Sequence, residues 1–282
     1  MDSEIARALD APYPPVALLF ANEAPPGAFM IPEGKWGCIM WLLASAAKGR
    51  PAAATRNSFG CLGGGTGVGF GNRYAEWPGG IECFYYFLST GNDQWDHGRE
   101  SMDEARSQLR VRSFEHFVHG ERYLAGPELV RRFVDALPMT DVPASHVVFT
   151  PLDAVAAGDT PEVVVFLVDA DRLAALTILA GFAREGNENV IMPQAAGCQS
   201  VGILAYREGR SERPRAVAGP TDISARLYLG RQLGRRDLMT FAVPWRLYRE
   251  MESHVGDSLL AGARWQEVLE AQRRGRARES GG

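Results

Sequence analysis

The chain has 282 residues, of which 46% are hydrophobic and 23% charged, and its net charge is −4. This length and apolar content predict one large packed domain over residues 1–270, and the weak negative charge argues against nucleic-acid binding. No stretch approaches the about 18 consecutive apolar residues of a membrane-spanning helix, and the N-terminus lacks a secretion signal. We therefore expect a cytoplasmic protein, away from membranes, in which the four cysteines stay reduced.

The first part of the chain predicts a strand, a helix and a glycine-rich loop. After a short helix over residues 3–9, the five consecutive apolar residues Val16–Phe20 indicate a central strand covered on both faces. A helix is predicted over residues 36–48, with Gly49 as its stop. The chain then reaches the Gly60-Cys61 step and its glycine tract.

Residues 73–145 predict an irregular α+β insertion. Its aromatic run, residues 83–88, has a composition typical of a strand. The charged segment 97–112 predicts a solvated helix, and the apolar spacing after Pro127 predicts an amphipathic one.

The second half repeats the pattern of the first. Val163–Leu167 is again an unbroken apolar run, a helix is predicted over residues 172–184, and a second Gly-Cys step follows at Gly197-Cys198. We predict an α/β fold of two related strand-helix-strand halves, about 12–72 and 146–206, packed around a central cleft.

The C-terminal part alternates short strands with helices and ends in a basic segment. The predicted elements are a helix at 200–206, strands at 215–218 and 239–243, helices from Pro244 and over 257–272, and a flexible tail at 271–282.

Three cysteines stand where a helix is predicted to begin: Cys38, Cys61 and Cys198. Unpaired backbone N–H groups at a helix start favour a thiolate, which binds soft metals and attacks electrophiles. These cysteines therefore suggest an iron–sulfur cluster, a zinc site or a covalent catalyst, assembled from distant loops because no Cys-x-x-Cys spacing occurs. Cys83, inside the aromatic run, is expected to be a core residue.

The glycine tract allows two interpretations. It matches neither the dinucleotide-binding fingerprint nor the phosphate-binding loop. Gly63, Gly64 and Gly65 either let a cofactor or anion approach the backbone, or let a helix pack tightly against its neighbour. The aromatic residues Trp77, Trp95 and Tyr123 likewise either line a pocket or bury a subunit contact in a homo-oligomer.

Five ordered segments resemble the "domain of unknown function 169" family, over about residues 12–260. They are Gly60–Gly64, the Phe-Leu-Ser-Thr-Gly segment (Phe87–Gly91), the Gly-Glu-Arg-Tyr segment (Gly120–Tyr123), Gly197–Ser200 and Thr221–Arg226. The resemblance implies a common site in which Glu121 acts as an acid or base, Arg122 or Arg226 clamps an anion, and Asp222 contributes to binding. Family members often carry a further cysteine where this chain has Ser224-Ala225-Arg226, which argues against a four-thiolate metal site.

The resulting hypotheses fall into three classes. The first is a redox or Lewis-acid enzyme acting on a small anionic molecule, with Cys38, Cys61 and Cys198 holding an iron–sulfur cluster or another thiolate-bound metal. The second is a metal-free enzyme with Cys61 or Cys198 as nucleophile or redox thiol. The third is a non-catalytic small-molecule or redox sensor.

Overall fold

One mixed eight-stranded sheet organises the computed structural model, which describes residues 1–109 and 115–280. The strand order across the sheet is β2-β3-β4-β1-β5-β8-β7-β6. The strands are β1 (Val16–Ala21), β2 (Phe29–Met30), β3 (Ala52–Thr55), β4 (His146–Pro151), β5 (Val163–Val168), β6 (Val190–Ile191), β7 (Ala216–Gly219) and β8 (Met239–Pro244).

Helices cover both faces of this sheet, so the predicted α/β class is confirmed. They are α1 (Glu4–Ala8), α2 (Ile39–Ala47), α3 (Leu62–Gly67), α4 (Ile81–Leu88), α5 (Gly98–Leu109), α6 (Glu115–His119), α7 (Pro127–Asp135), α8 (Ala170–Gly181), α9 (Gly197–Val201), α10 (Ile203–Gly209), α11 (Ile223–Leu233), α12 (Trp245–Ser253) and α13 (Ala263–Ser280).

The two central strands, β1 and β5, are buried on both faces because successive side chains enter two separate cores. Val16 and Leu18 face the core beneath α2, α3, α9 and α11, whereas Ala17 and Leu19 face the core beneath α1, α8, α12 and α13. This double burial explains the unbroken apolar runs in the sequence.

The strand pairings of the first four strands, β2-β3-β4-β1, recur with equivalent register in the last four, β6-β7-β8-β5. Val16 pairs with Pro151 in the first four strands, and Val163 pairs with Pro244 in the last four. The parallel edge pair β2–β3 has its counterpart in β6–β7. Such repetition is what a duplicated four-stranded unit would produce.

This register differs from the predicted halves, 12–72 and 146–206. Strand β4 pairs with β1 and β3 and therefore belongs with the first four strands, although residue 146 was predicted to open the second half. By position after the second strand, Gly37-Cys38 before α2 corresponds to Gly197-Cys198 at α9. The prediction that Gly60-Cys61 matches Gly197-Cys198 rested on local sequence similarity, and the strand register does not support it.

The aromatic run predicted as a strand is helix α4, and the described part of the insertion 73–145 contains helices without a strand. Phe84 stacks on Tyr74 with ring centroids 4.5 Å apart, and Phe87 stacks on Phe117 at 4.4 Å. Phe84 and Phe87 are three residues apart and lie on one face of α4. Tertiary packing thus overrides the strand preference of aromatic residues.

Other boundaries differ by a few residues. Helix α2 begins at Ile39 instead of residue 36, because Cys38 is its N-cap. The terminal helix starts at Ala263, after two short 3-10 turns, and continues to Ser280, so the predicted tail is helical as far as that residue. Residues 110–112 of the predicted helix 97–112 and residues 281–282 of the tail lie outside the described residues. Within the described residues, no helix has the length and apolarity to cross a membrane.

Arg172 ties both ends of the chain to α8. Its side chain is fully buried, donating to the Leu9 carbonyl (2.8 Å) and the Gln272 side chain (2.6 Å) and forming an ion pair with Asp169. We expect Arg172→Met to lower the free energy of unfolding by about 3–5 kcal/mol, because it leaves the buried Leu9 carbonyl and the largely buried Asp169 carboxylate unpaired. Urea unfolding measures this loss, with Arg264→Met, which removes an exposed ion pair to Glu267, as the control expected to cost under about 1 kcal/mol.

Candidate active site

A large pocket lies on the sheet face covered by α2, α3 and α11. Its volume is about 1780 Å³, above the roughly 300–1,000 Å³ typical of ligand sites. The lining comes mainly from residues 32–63, 74–88, 116–133 and 194–231. Several of the family segments therefore contribute to one concave surface.

Aromatic rings form much of the pocket wall. Trp77 lies against Phe84 with centroids 4.7 Å apart, and Trp36 meets Tyr228 edge-on at 5.3 Å. Trp77 and Tyr123 line the pocket, whereas Trp95 stacks on Tyr86 and does not. Such walls suit a ligand with an apolar or flat part.

The Phe-Leu-Ser-Thr-Gly and Gly-Glu-Arg-Tyr segments lie against each other and place Glu121 in the pocket. The Glu121 N–H donates to the Phe87 carbonyl (2.7 Å) at the end of α4. Gly120 has φ +72°, and a Cβ there would lie 2.3 Å from the Ser89 carbonyl oxygen. Only glycine permits this close approach, which fixes the position of the next residue, Glu121.

The Glu121 carboxyl titrates near neutrality. Burial, and then the nearby Asp222 carboxylate, raise the pKa of Glu121 from 4.5 to about 7. A carboxyl group with that pKa is protonated and ionised in comparable amounts at neutral pH, so it suits general acid–base chemistry.

Asp222 holds the start of helix α11 at the pocket. It is the N-cap of α11 and accepts from the N–H groups of Ser224 (2.8 Å) and Ala225 (3.2 Å). The Tyr123 hydroxyl donates to the same oxygen (3.2 Å). Burial and then Asp222 raise the pKa of Tyr123 to about 12. Asp222 thus orders one wall of the pocket.

Cys38 and Cys61 both line the pocket and are partly exposed. Cys61 is the N-cap of α3, and its sulfur accepts from the Gly64 N–H (3.1 Å). Burial is the main cause that raises the pKa of each thiol; Cys61 raises that of Cys38 further, and Asp222 raises both. Both are therefore neutral thiols at pH 7 in the unliganded site.

Cys198 lies behind α3 instead of in the pocket lining. It is buried, and its thiol donates to the Gly63 carbonyl (3.2 Å). Burial, and then Cys61, raise the pKa of Cys198. A Cβ on Gly67 would lie 2.6 Å from the Cys198 sulfur, so glycine there is required by helix packing. Cys83 is fully buried, as predicted.

Helix packing also accounts for most of the glycine tract. A Cβ on Gly64 would lie 2.9 Å from Ile39, and one on Gly65 would lie 2.8 Å from Phe59. Of the three glycines predicted to bind a cofactor, Gly63 alone lines the pocket. The tight-packing interpretation therefore fits Gly64 and Gly65.

The two predicted arginine clamps do not reach the pocket. Arg226 donates to the Met239 sulfur and to the Arg236 carbonyl (3.0 Å), beside β8. Arg122 is exposed, with φ +57°, and is not part of the lining. The structure thus brings Glu121, Asp222, Cys38 and Cys61 to one pocket without these cations.

The donor arrangement does not fit a metal held by Cys38, Cys61 and Cys198. Two of these thiols face the pocket, while the third is directed at a carbonyl. Among the described residues, no group of three or more His, Cys, Asp and Glu side chains is placed to hold a metal ion.

Sequence reasoning missed Tyr74, Gln199 and Tyr228. The Gln199 side chain donates to the buried Tyr74 hydroxyl (3.0 Å), linking α9 to the pocket floor. Tyr228 lies four residues after Ser224 on α11, so both side chains lie on one face of the helix that Asp222 caps, and both line the pocket. This spacing was the signal in the sequence that could have identified Tyr228.

The fold and the site define an α/β protein with a ligand pocket lined by thiols and carboxyl groups. The chain belongs to the DUF169 family, described as "Uncharacterised ArCR", whose match covers residues 4–254. The resemblance predicted from the five segments is thereby confirmed. Neither the curated proteins nor the solved structures gave a match. The family description names no reaction.

Protonation of Glu121 predicts a pH-dependent stability. Between about pH 4.5 and 7 the folded protein keeps a proton that the unfolded chain has released, so the free energy of unfolding falls as pH rises and is level above pH 7. We expect Glu121→Gln to remove this fall and to raise Tm at pH 8 by about 2–4 °C relative to the wild type. Melting curves from pH 5 to 8 test this. The exposed Glu82→Gln should retain the wild-type slope, and an equal slope in Glu121→Gln contradicts the assignment.

Gly60 is required for the close approach of its own backbone to that of Gly37. It has φ +79°, and a Cβ would lie 2.2 Å from the Gly37 carbonyl oxygen. Gly49 has φ +91° with open space around it, so Gly49→Ala isolates the cost of the left-handed backbone. We expect Gly60→Ala to lower the free energy of unfolding by about 1–3 kcal/mol more than Gly49→Ala. If chemical denaturation shows equal losses of unfolding free energy for Gly60→Ala and Gly49→Ala, the contact of the added Cβ with the Gly37 carbonyl has no cost.

Proposed function

We propose that this protein is a cysteine-dependent enzyme in which Cys61 attacks a small molecule bound in the pocket and Glu121 transfers the proton. The observation that carries the proposal is the presence of a partly exposed thiol and a carboxyl group of pKa about 7 in one aromatic-lined pocket. A nucleophile together with a group able to donate and accept protons near neutral pH is the minimum for covalent catalysis.

The surroundings of Cys61 favour reaction only after a ligand has entered. At rest, burial and the charge of Asp222 keep the thiol protonated. The Gly64 N–H already points at the sulfur and stabilises a thiolate once it forms. A positively charged ligand beside Asp222 would lower the pKa of the thiol and so activate it where the ligand is held.

The charges of the pocket favour a cationic or neutral substrate over the anionic one that the sequence suggested. Glu121 and Asp222 lie inside, and the predicted clamps Arg122 and Arg226 lie elsewhere. The cationic lining residues, Lys35 and Arg231, are exposed to solvent. An organic cation would meet both the carboxylates and the faces of the aromatic rings.

The competing proposal is the iron–sulfur cluster on Cys38, Cys61 and Cys198. It requires the Cys198 thiol to leave the Gly63 carbonyl and turn toward the pocket. Anaerobically purified protein that contains iron and sulfide, and loses both in Cys198→Ser, would favour the cluster over the thiol enzyme.

Charged methanethiosulfonates test the thiol and the pocket charge together. We expect the trimethylammonium reagent to modify Cys61 about tenfold faster than the sulfonate reagent of similar size, because the carboxylates concentrate cations. Mass spectrometry of the tryptic peptide 57–73 measures the rate. Asp222→Asn, which keeps a capping side chain, should reduce the preference, whereas the exposed Glu82→Gln should leave it unchanged.

Two results would contradict the proposal. Equal, slow labelling of all four cysteines by both reagents would show that Cys61 is not a specially reactive thiol. The second test uses a nitrophenyl ester that carries a trimethylammonium group. If the ester acylates Cys61, releases one equivalent of nitrophenolate and is not turned over further, the result would favour a non-catalytic binding protein.

A further inference from the structure

We infer that Cys38 and Cys61 are a redox pair that closes to an intramolecular disulfide at the pocket wall. The effect on catalysis rests on the proposed function, since closing the pair would remove the Cys61 nucleophile. The pairing itself rests only on the geometry of the two segments.

One backbone hydrogen bond brings the two cysteines together. The Cys61 N–H donates to the carbonyl of Gly37, the residue just before Cys38, at 3.0 Å. Standard bond lengths then limit the separation of the Cys38 and Cys61 Cα atoms to about 7 Å at most. Disulfides span Cα separations of about 4.4–6.8 Å, so this limit places the two cysteines close to the separation that a disulfide needs.

Close packing keeps the two backbones in contact. A Cβ on Gly60 would lie 2.2 Å from the Gly37 carbonyl oxygen, so the absence of a side chain permits the contact. Each cysteine is the N-cap of a helix, Cys38 of α2 and Cys61 of α3, which fixes where its side chain begins. The pair is therefore held next to each other by two rigid elements.

Access separates this pair from the other two cysteines. Cys38 and Cys61 are partly exposed and line the pocket, whereas Cys83 and Cys198 are buried. A small oxidant that enters the pocket meets both members of the pair. Burial, and then the neighbouring Cys61, raise the pKa of Cys38, so the two cysteines are close enough to interact.

The oxidation uses a small-molecule disulfide, RSSR, as the oxidant. The Cys61 thiolate attacks one sulfur, the RS–SR bond breaks, and RS⁻ leaves and takes up the proton that Cys61 released. The Cys38 thiolate then attacks the Cys61 sulfur of the mixed disulfide, and the second RS⁻ leaves and takes the proton of Cys38. Two protein thiols are oxidised and one RSSR is reduced to two RSH.

Cystamine, a small cationic disulfide that the pocket carboxylates attract, tests the pair when it is added to the protein without any substrate. We expect the wild type to lose two of its four thiols, with tryptic peptides 36–48 and 57–73 becoming joined, and dithiothreitol to restore all four. Each cysteine lies in a separate tryptic peptide, so the mass spectrum identifies the bond. Cys38→Ser and Cys61→Ser should stop at one cysteamine adduct on the remaining member, and Cys83→Ser should behave as the wild type.

Wild-type protein that accumulates stable cysteamine adducts without the joined peptides, or keeps four free thiols, overturns the pair. Because these results come from the wild type, they stand even if a serine variant fails to fold. Failure of the proposed function is recognised separately. If Cys61 keeps its preference for the cationic methanethiosulfonate while no disulfide forms, the redox pair falls and the thiol enzyme stands. If the disulfide forms but Cys61 shows no preference for the cationic methanethiosulfonate, the redox pair stands and the thiol enzyme falls.

Discussion

The antiparallel pairing of β1 with β5 is the contact on which the rest of the structure depends. Ala17 pairs with Val164 at its centre, and the strand pairings on either side repeat with the same register. Both strands are buried on both faces, so this pair cannot shift without exposing one of the two cores. Because it joins the two four-stranded units, it also determines that α2, α3, α9 and α11 share one face of the sheet.

The pocket on that face combines rigid backbone with unfavourable electrostatics. Glycines at positions 60, 67 and 120 allow segments to approach more closely than any side chain would permit. These contacts gather carboxyl, phenol and thiol groups, and burial together with neighbouring acidic groups raises the pKa values of Glu121, Tyr123 and Cys198. A folded protein normally avoids such a cluster, and clusters of this kind occur preferentially at functional sites. The stability lost there is offset by the two large cores.

The sequence predicted those parts of the fold that depend on local pattern. The unbroken apolar runs identified β1 and β5, because burial on both faces leaves no alternation. The placement of Glu121 and Asp222 in one site, expected from the family resemblance, agrees with the pocket lining.

Features that depend on distant contacts were not predictable in the same way. The run 83–88 has strand composition but is helical because its rings pack on Tyr74 and Phe117. The direction of the Arg226 side chain depends on Met239, thirteen residues away. Likewise, the hydrogen bond that joins Cys61 to Gly37 has no signal in the spacing of the two cysteines.

The repeated register makes two helix starts equivalent. Cys61 caps α3 after the third strand of the first unit, and Asp222 caps α11 after the third strand of the second. One scaffold position thus carries a thiol in one copy and a carboxylate in the other. If the units descend from one ancestral sequence, at least one of these residues is a later replacement. Divergence of the copies at this position would then supply the pocket with both a thiol and a carboxyl group while leaving the backbone unchanged.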